Sequence, residues 1–114
     1  MAYKQALGRW GEDRVVRWYR RHGFEVLERN WRCRHGELDV IVRRGSVVAV
    51  CEVKTRSSNA FGTPAEAVGW QKQRRIRRLA VQWLSEQEHR GAVQLRFDVA
   101  EVMGREIRVI EAAF

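Results

Sequence analysis

Apolar positions recur along the chain with two different periods. Over residues 3–22, Leu7, Trp10, Gly11, Val15, Trp18 and Tyr19 return at spacings of three and four, the stripe of an amphipathic helix. Gly23 is a natural C-terminal stop for it. "FEVLER" (24–29) then reads as a strand and "NWRCRHG" (30–36) as a polar connection. In "ELDVIVR", Leu38, Val40 and Val42 point one way while Asp39 and Ile41 point the other. In "VVAVCEVK", Val48, Val50, Glu52 and Lys54 share a face. "RRGS" (43–46) joins these two strands, with Gly45 able to take positive φ.

After a polar loop, "TRSSNAFG" (55–62), the residues "TPAE" carry the signals of a helix start: Thr63 as N-cap, Pro64 in the first helical position and Glu66 closing a capping box. The helical pattern runs to about Gln87, with a weak point at Gly69 and a stripe of Ile76, Leu79, Ala80, Trp83 and Leu84. "VQLRFDV" (93–99) alternates as a strand, and "EIRVIE" (106–111) is another after a turn at Gly104. The order predicts an α/β domain over residues 1–114, with a mixed central sheet of about five strands flanked by two main helices.

Charge inside the two hairpin strands is the anomaly in this pattern, because burying it is costly. A two-residue loop at Arg44 and Gly45 would set Asp39 opposite Val50, with Glu52 its diagonal neighbour roughly 7–8 Å away at the backbone. Asp39, Glu52 and Lys54 then share a face with Ile41, Val48 and Val50, which argues for a covered site rather than a wet edge. A one-residue slip would separate the carboxylates. Two carboxylates without imidazole or thiolate form a hard-oxygen site suited to Mg²⁺ or Mn²⁺. Such an ion can bridge phosphate oxygens and activate water at a phosphodiester. Lys54 could orient the water or neutralise growing charge. Two readings of Glu12 fit the helical wheel equally: a further ligand, direct or through water, with Gly8 clearing space beside it, or a solvated glutamate. Glu37 shares the parity of Asp39 but lies nearer the strand start, where solvent is the expected environment.

Overall charge widens the picture. A formal net charge of +8 on 114 residues points to a polyanionic partner, nucleic acid before membrane. In "WQKQRRIRR" (70–78), Arg74, Arg75, Arg77 and Arg78 lie off the apolar stripe, free to meet phosphates or simply water. Lys72 and Gln73 extend the stripe toward the helix start and can face the sheet, although a snorkelling lysine fits equally. Cys33 and Cys51 form no metal-binding motif, and the reading is two free thiols in a reducing compartment. The N-terminal residues contain no apolar signal core and no run approaches a membrane span, so a cytoplasmic location is expected.

"GELDVIV…VCEVKTR" resembles the core of the PD-(D/E)xK nuclease superfamily. With "GRWGEDR", "NWR", "FGTPAEAV", "KQRRIRRLA", "RFDV" and the closing "AF", nearly the whole chain is similar to the YraN-like bacterial family. The resemblance implies a restriction-endonuclease-like fold, related to archaeal Holliday-junction resolvases. It implies an active site of Glu12, Asp39, Glu52 and Lys54, supported by Lys72 and Gln73; Leu38 stands at the "P" of the superfamily name. The resulting expectation is a Mg²⁺- or Mn²⁺-dependent endonuclease that hydrolyses phosphodiester bonds in DNA, branched or recombination intermediates included. A resolvase role would require a homodimer, for which five Trp leave apolar surface. The alternatives are a non-catalytic nucleic-acid-binding module that retains the nuclease core, and a protein–protein adaptor.

Overall fold

The computed structural model describes residues 2–56, 68–88 and 91–114. Helix α1 spans Ala2–Arg21, and strands β1 (Glu25–Cys33), β2 (Gly36–Arg44) and β3 (Val47–Arg56) follow. Helix α2 (Trp70–Ser85) leads to β4 (Gln94–Met103) and β5 (Glu106–Ile110). The five strands form one sheet in the order β1-β2-β3-β4-β5. Only β3 and β4 run parallel, in register from Val47–Gln94 to Arg56–Met103. That pair needs a crossover, and α2 lies within it. The expected mixed sheet with two helices is therefore present.

The helices cover opposite faces, so the middle strands are buried on both sides and read as continuous apolar runs. On one face Val15, Val16 and Tyr19 of α1 pack with Val40, Val42, Ala49, Cys51, Ala100 and Val102. On the other, Ile76, Leu79, Ala80 and Trp83 of α2 pack with Ile41, Val48, Val50, Phe97 and Val99. Gly11 is where α1 presses closest: a Cβ there would lie 1.9 Å from Thr55 Oγ1, whereas Gly8, expected to clear space, has nothing within 4 Å. Trp10, expected on the buried stripe, is 39% exposed with Arg14 over its ring; Val16 is buried instead.

Several boundaries move. "NWRC" is not a connection but the second half of β1, because Trp31 pairs with Leu38 and Arg32 with Glu37, the latter also an ion pair at 3.0 Å. Only Arg34 and His35 turn the chain. Thr55 and Arg56 belong to β3 rather than to the loop, β4 continues to Met103, and α2 ends at Ser85. Gly69 is the extended N-cap of α2. The helix-start signals at Thr63, Pro64 and Glu66, and most of the loop before them, lie outside the described residues. No helix among the described residues is long and apolar enough to cross a membrane.

Candidate active site

The β2–β3 register differs from the expected one. The loop is Gly45–Ser46, with Gly45 at φ 61°, and Ile41 pairs with Val50. The shift is two residues, not one, so side-chain parity survives and Glu52 and Lys54 remain on the face of Val50. Continued further, this register would bring Asp39 directly opposite Glu52. The paired residues stop one short, at Val40–Cys51. Here strict alternation also breaks. Leu38 packs on the α2 side with Ile41, while Val40 and Val42 pack on the α1 side. The expectation that all three even-numbered residues share a face was therefore wrong. Asp39 sits at this break, and its Oδ2 accepts the Val53 N–H at 2.9 Å, a side chain standing across the gap between two strands.

The arrangement gathers charge in a small volume. Asp39 and Glu52 line one cleft, near enough for the charge of Glu52 to act on the Asp39 carboxyl. Glu52 is buried, with only 9% of its surface exposed. Its Oε1 lies 2.6 Å from the Lys72 Nζ of α2 and 3.7 Å from the Lys54 Nζ of β3. Burial pushes the Asp39 carboxyl from its ordinary 3.8 up to about 7; Glu52 adds repulsion, the Val53 N–H opposes the rise, and Glu12 adds to it through space. The Lys54 ammonium is shifted down, first by burial and then by Lys72 beside it. Burial works against Lys72 too, but its hydrogen bond and charge pairing with Glu52 outweigh that and raise it. The two neighbouring lysines are thus shifted in opposite directions.

Glu12 lies beside the pair but is not joined to it. Its Oε1 accepts Asn30 Nδ2 at 2.9 Å and lies 3.6 Å from the Arg29 guanidinium. It is not the solvated glutamate of the second reading either, since its side chain is only 13% exposed. Among the described residues, no three His, Cys, Asp or Glu side chains gather as they would around one metal ion. The donor set in this cleft is Asp39 and Glu52. Two carboxylates are enough for Mg²⁺, which keeps several waters and takes further ligands from phosphate. Their mutual repulsion in a buried setting is also what a cation would relieve, so the residues present fit such an ion. The Lys72 ammonium pairs with the same Glu52 carboxylate. Glu37, expected to be solvated, is exposed and pairs with Arg32.

Asp39, Glu52 and Lys72 line a cleft of about 570 Å³ with Gly36, Arg75, Ile76 and Leu79. A larger groove of about 730 Å³ contains no carboxylate and runs along α2, lined by Trp70, Arg74, Arg75 and Arg78. Asp39 and Glu52 belong to the smaller one. The basic residues of α2 therefore divide. Lys72 and Arg75 reach the acidic cleft, Arg74 and Arg78 line the groove, and Arg77 is elsewhere, over the rings of Phe97 and Phe114 at 4.9 and 5.4 Å. Gln73 does not reach the carboxylates; its Nε2 donates to the Val68 carbonyl at 2.9 Å.

Residues 11–102 match the family described as "Uncharacterised protein family UPF0102". The chain belongs to this family. It is the YraN-like family whose motifs the sequence carries. A UPF0102 protein from Nocardia farcinica is 54% identical over 100 residues, covering 88% of this chain and 78% of the relative. One from Frankia casuarinae is 52% identical over 99 residues, covering 87% and 83%. One from Acidothermus cellulolyticus is 42% identical over 111 residues, covering 90% and 84%. Glu12, Asp39, Glu52, Lys54 and the basic run of α2 all fall inside the UPF0102 segment, while Phe114 falls outside it.

Two polar anchors, one beside the site and one on the far face of the sheet, had no separate signal in the sequence. Asn30, which holds Glu12, sits at φ 53°, a conformation Asn tolerates better than most residues. Asp98 was an unremarked strand residue, yet it is fully buried and accepts from Tyr19 Oη at 2.6 Å, from two Arg96 nitrogens at 2.9 Å and from the Ala112 N–H at 3.0 Å. It ties α1, β4 and the C-terminal segment together beneath the sheet face opposite α2.

Proposed function

We propose that the protein is a metal-dependent endonuclease hydrolysing phosphodiester bonds in DNA, with branched or recombination intermediates among its substrates. The observation that carries this reading is that Asp39 and Glu52 line one cleft where β2 and β3 stop pairing, with Lys72 and Lys54 against Glu52, on a chain of net charge +8. Asp39 and Glu52 would hold Mg²⁺ or Mn²⁺, with Glu12 a further ligand through water. Bound there, the ion would supply Lewis-acid activation of the phosphate and lower the pKa of the attacking water. Lys54, 3.7 Å from Glu52, would orient that water or neutralise charge growing on the phosphate. Lys72 remains charged and suits a phosphate oxygen once it leaves Glu52. Arg75, at the cleft wall, would hold the backbone without reading sequence.

One observation favours the competing reading, a non-catalytic nucleic-acid-binding module. The Lys72–Glu52 pair at 2.6 Å gives the buried carboxylate a partner within the chain itself, as a binding module would need. A cleavage assay separates the two. Duplex, single-stranded, flap and four-way DNA are incubated with Mg²⁺, with Mn²⁺ or with chelator, using wild type, Asp39→Ala and Lys54→Ala. Cleavage dependent on metal and lost in both variants supports the nuclease. Intact DNA in every lane, or variants that cut like wild type, removes it.

A further inference from the structure

The groove along α2 contains features that the acidic cleft does not use. Trp70 opens the helix with 62% of its surface exposed, the largest exposure among the big apolar side chains described. Arg74, one turn on, places its guanidinium 5.3 Å from the Trp70 ring centroid. Arg78 follows at the next turn, so Trp70, Arg74 and Arg78 form a row with a step of about 6 Å along the helix axis. Val81, 59% exposed, lines the same groove. None of the side chains lining it is a carboxylate. Arg75 and Leu79 line both this groove and the acidic cleft, which makes the two continuous.

A flat, exposed indole in a row of guanidinium groups suits a polymer with both π faces and phosphates. In a duplex the base faces are stacked on one another and inaccessible; in an unpaired strand they are open. Stacking on an aromatic ring is tolerant of sequence because every base has a π face. An acidic protein partner would match the charge but would leave the indole without a reason to stand in the row. We infer that the groove binds an unpaired DNA strand, with a base stacked on Trp70 and phosphates held by Arg74 and Arg78. Arg75 passes that strand toward Asp39 and Glu52. The inference rests on the nuclease reading of the cleft and narrows its substrate to DNA with a single-stranded portion.

The test is binding in chelator, where no cleavage occurs. A fluorescein-labelled oligothymidylate, a matched duplex and an oligouridylate of equal length are titrated with wild type, Trp70→Ala and Trp70→Phe, and anisotropy is read at fixed salt. The expected result is tighter binding of oligothymidylate than of duplex, an approximately tenfold loss on Trp70→Ala, and recovery of most of that loss by Trp70→Phe. Trp70 is exposed, so the substitutions leave the core intact. Unchanged affinity in Trp70→Ala, a preference for duplex or RNA, or no binding of oligothymidylate by wild type would each overturn the inference. Asp39→Ala cleavage assays run in parallel separate the two proposals. If that variant cuts like wild type, the nuclease reading fails while the binding result stands by itself. If Asp39→Ala abolishes cutting but Trp70→Ala binds normally, only the groove assignment fails.

Discussion

Replacing Asp39 with Asn removes a charge that the fold holds at a loss, and the size of the effect can be worked from the site. Burial first, and then Glu52, lift the Asp39 carboxyl from 3.8 to about 7. The sign follows from linkage. Between these two values the native protein holds a proton that the unfolded chain has released, so stability falls as pH rises through this window and the loss is complete above about pH 7. At about 1.4 kcal/mol per pH unit the full loss is on the order of 4 kcal/mol. Asp39 and Glu52 relieve one another as either protonates, so that figure is a ceiling. Asn is neutral, nearly isosteric, and keeps an oxygen to accept the Val53 N–H. In chelator, Asp39→Asn should therefore be more stable than wild type at pH 8, and the gap should shrink by about 3 kcal/mol on going to pH 5. Urea unfolding at the two pH values measures it directly. A thermal melt reads the same difference at roughly 4–8 °C per kcal/mol for a chain of about this size. Equal stability at pH 8, or a gap that does not change with pH, would refute the claim that the acidic pair is strained. Added Mg²⁺ or Mn²⁺ should raise the stability of wild type and leave the variant nearly unchanged.

Other consequences can be checked separately. Gly11→Ala drives a Cβ into Thr55 and should destabilise by about 1–3 kcal/mol, whereas Gly8→Ala, in open space within α1, should stabilise by up to about 1 kcal/mol; paired thermal melts decide it. Asp98→Ala leaves the Tyr19 hydroxyl and the Ala112 N–H without their acceptor and Arg96 with Glu111, so a loss of about 2–4 kcal/mol is expected in denaturant unfolding, against about 1 kcal/mol for Tyr19→Phe. Lys72→Met removes the ammonium from Glu52 and should tighten Mn²⁺ binding by about tenfold in a calorimetric titration, since tenfold is about 1.4 kcal/mol and a charge pair at this range near a protein surface is worth up to about 4 kcal/mol. Weaker metal binding in that variant would mean that Lys72 orders the site rather than competing for it.

The hairpin shows how far local pattern reaches. Alternation in "ELDVIVR" and "VVAVCEVK" was enough to place Glu52 and Lys54 on the face of Val50, because side-chain direction has a period of two and a shift of two residues leaves it intact. The register itself was not legible, since Arg44–Gly45 and Gly45–Ser46 are both acceptable loops. Leu38 was misplaced for a different reason. Alternation assumes a regular ladder, and the ladder ends where Asp39 takes the Val53 N–H. "NWRC" was misread because its polar residues face solvent on an edge strand, which looks like a loop when neighbours are unknown. Gly8 and Gly11 are indistinguishable on a helical wheel to within a turn; only the approach of Thr55 tells which one is needed.

What the sequence alone determined was the set of elements, the two helices around a mixed sheet, the family, and the identity of the charged residues that break the apolar pattern. Those properties depend on neighbours a few positions apart, and the chain carries them in its spacing. Only the tertiary structure decided which charges meet. Lys72 reaches Glu52 because α2 packs against β2 on the sheet face that carries Val48 and Val50, Glu12 is drawn to Asn30 and Arg29 because α1 lies against β1, and Arg77 turns to Phe97 and Phe114 while Arg75 turns to the cleft. Each contact joins residues at least 17 positions apart, and its geometry follows from how the helices pack on a sheet whose register local propensity does not fix.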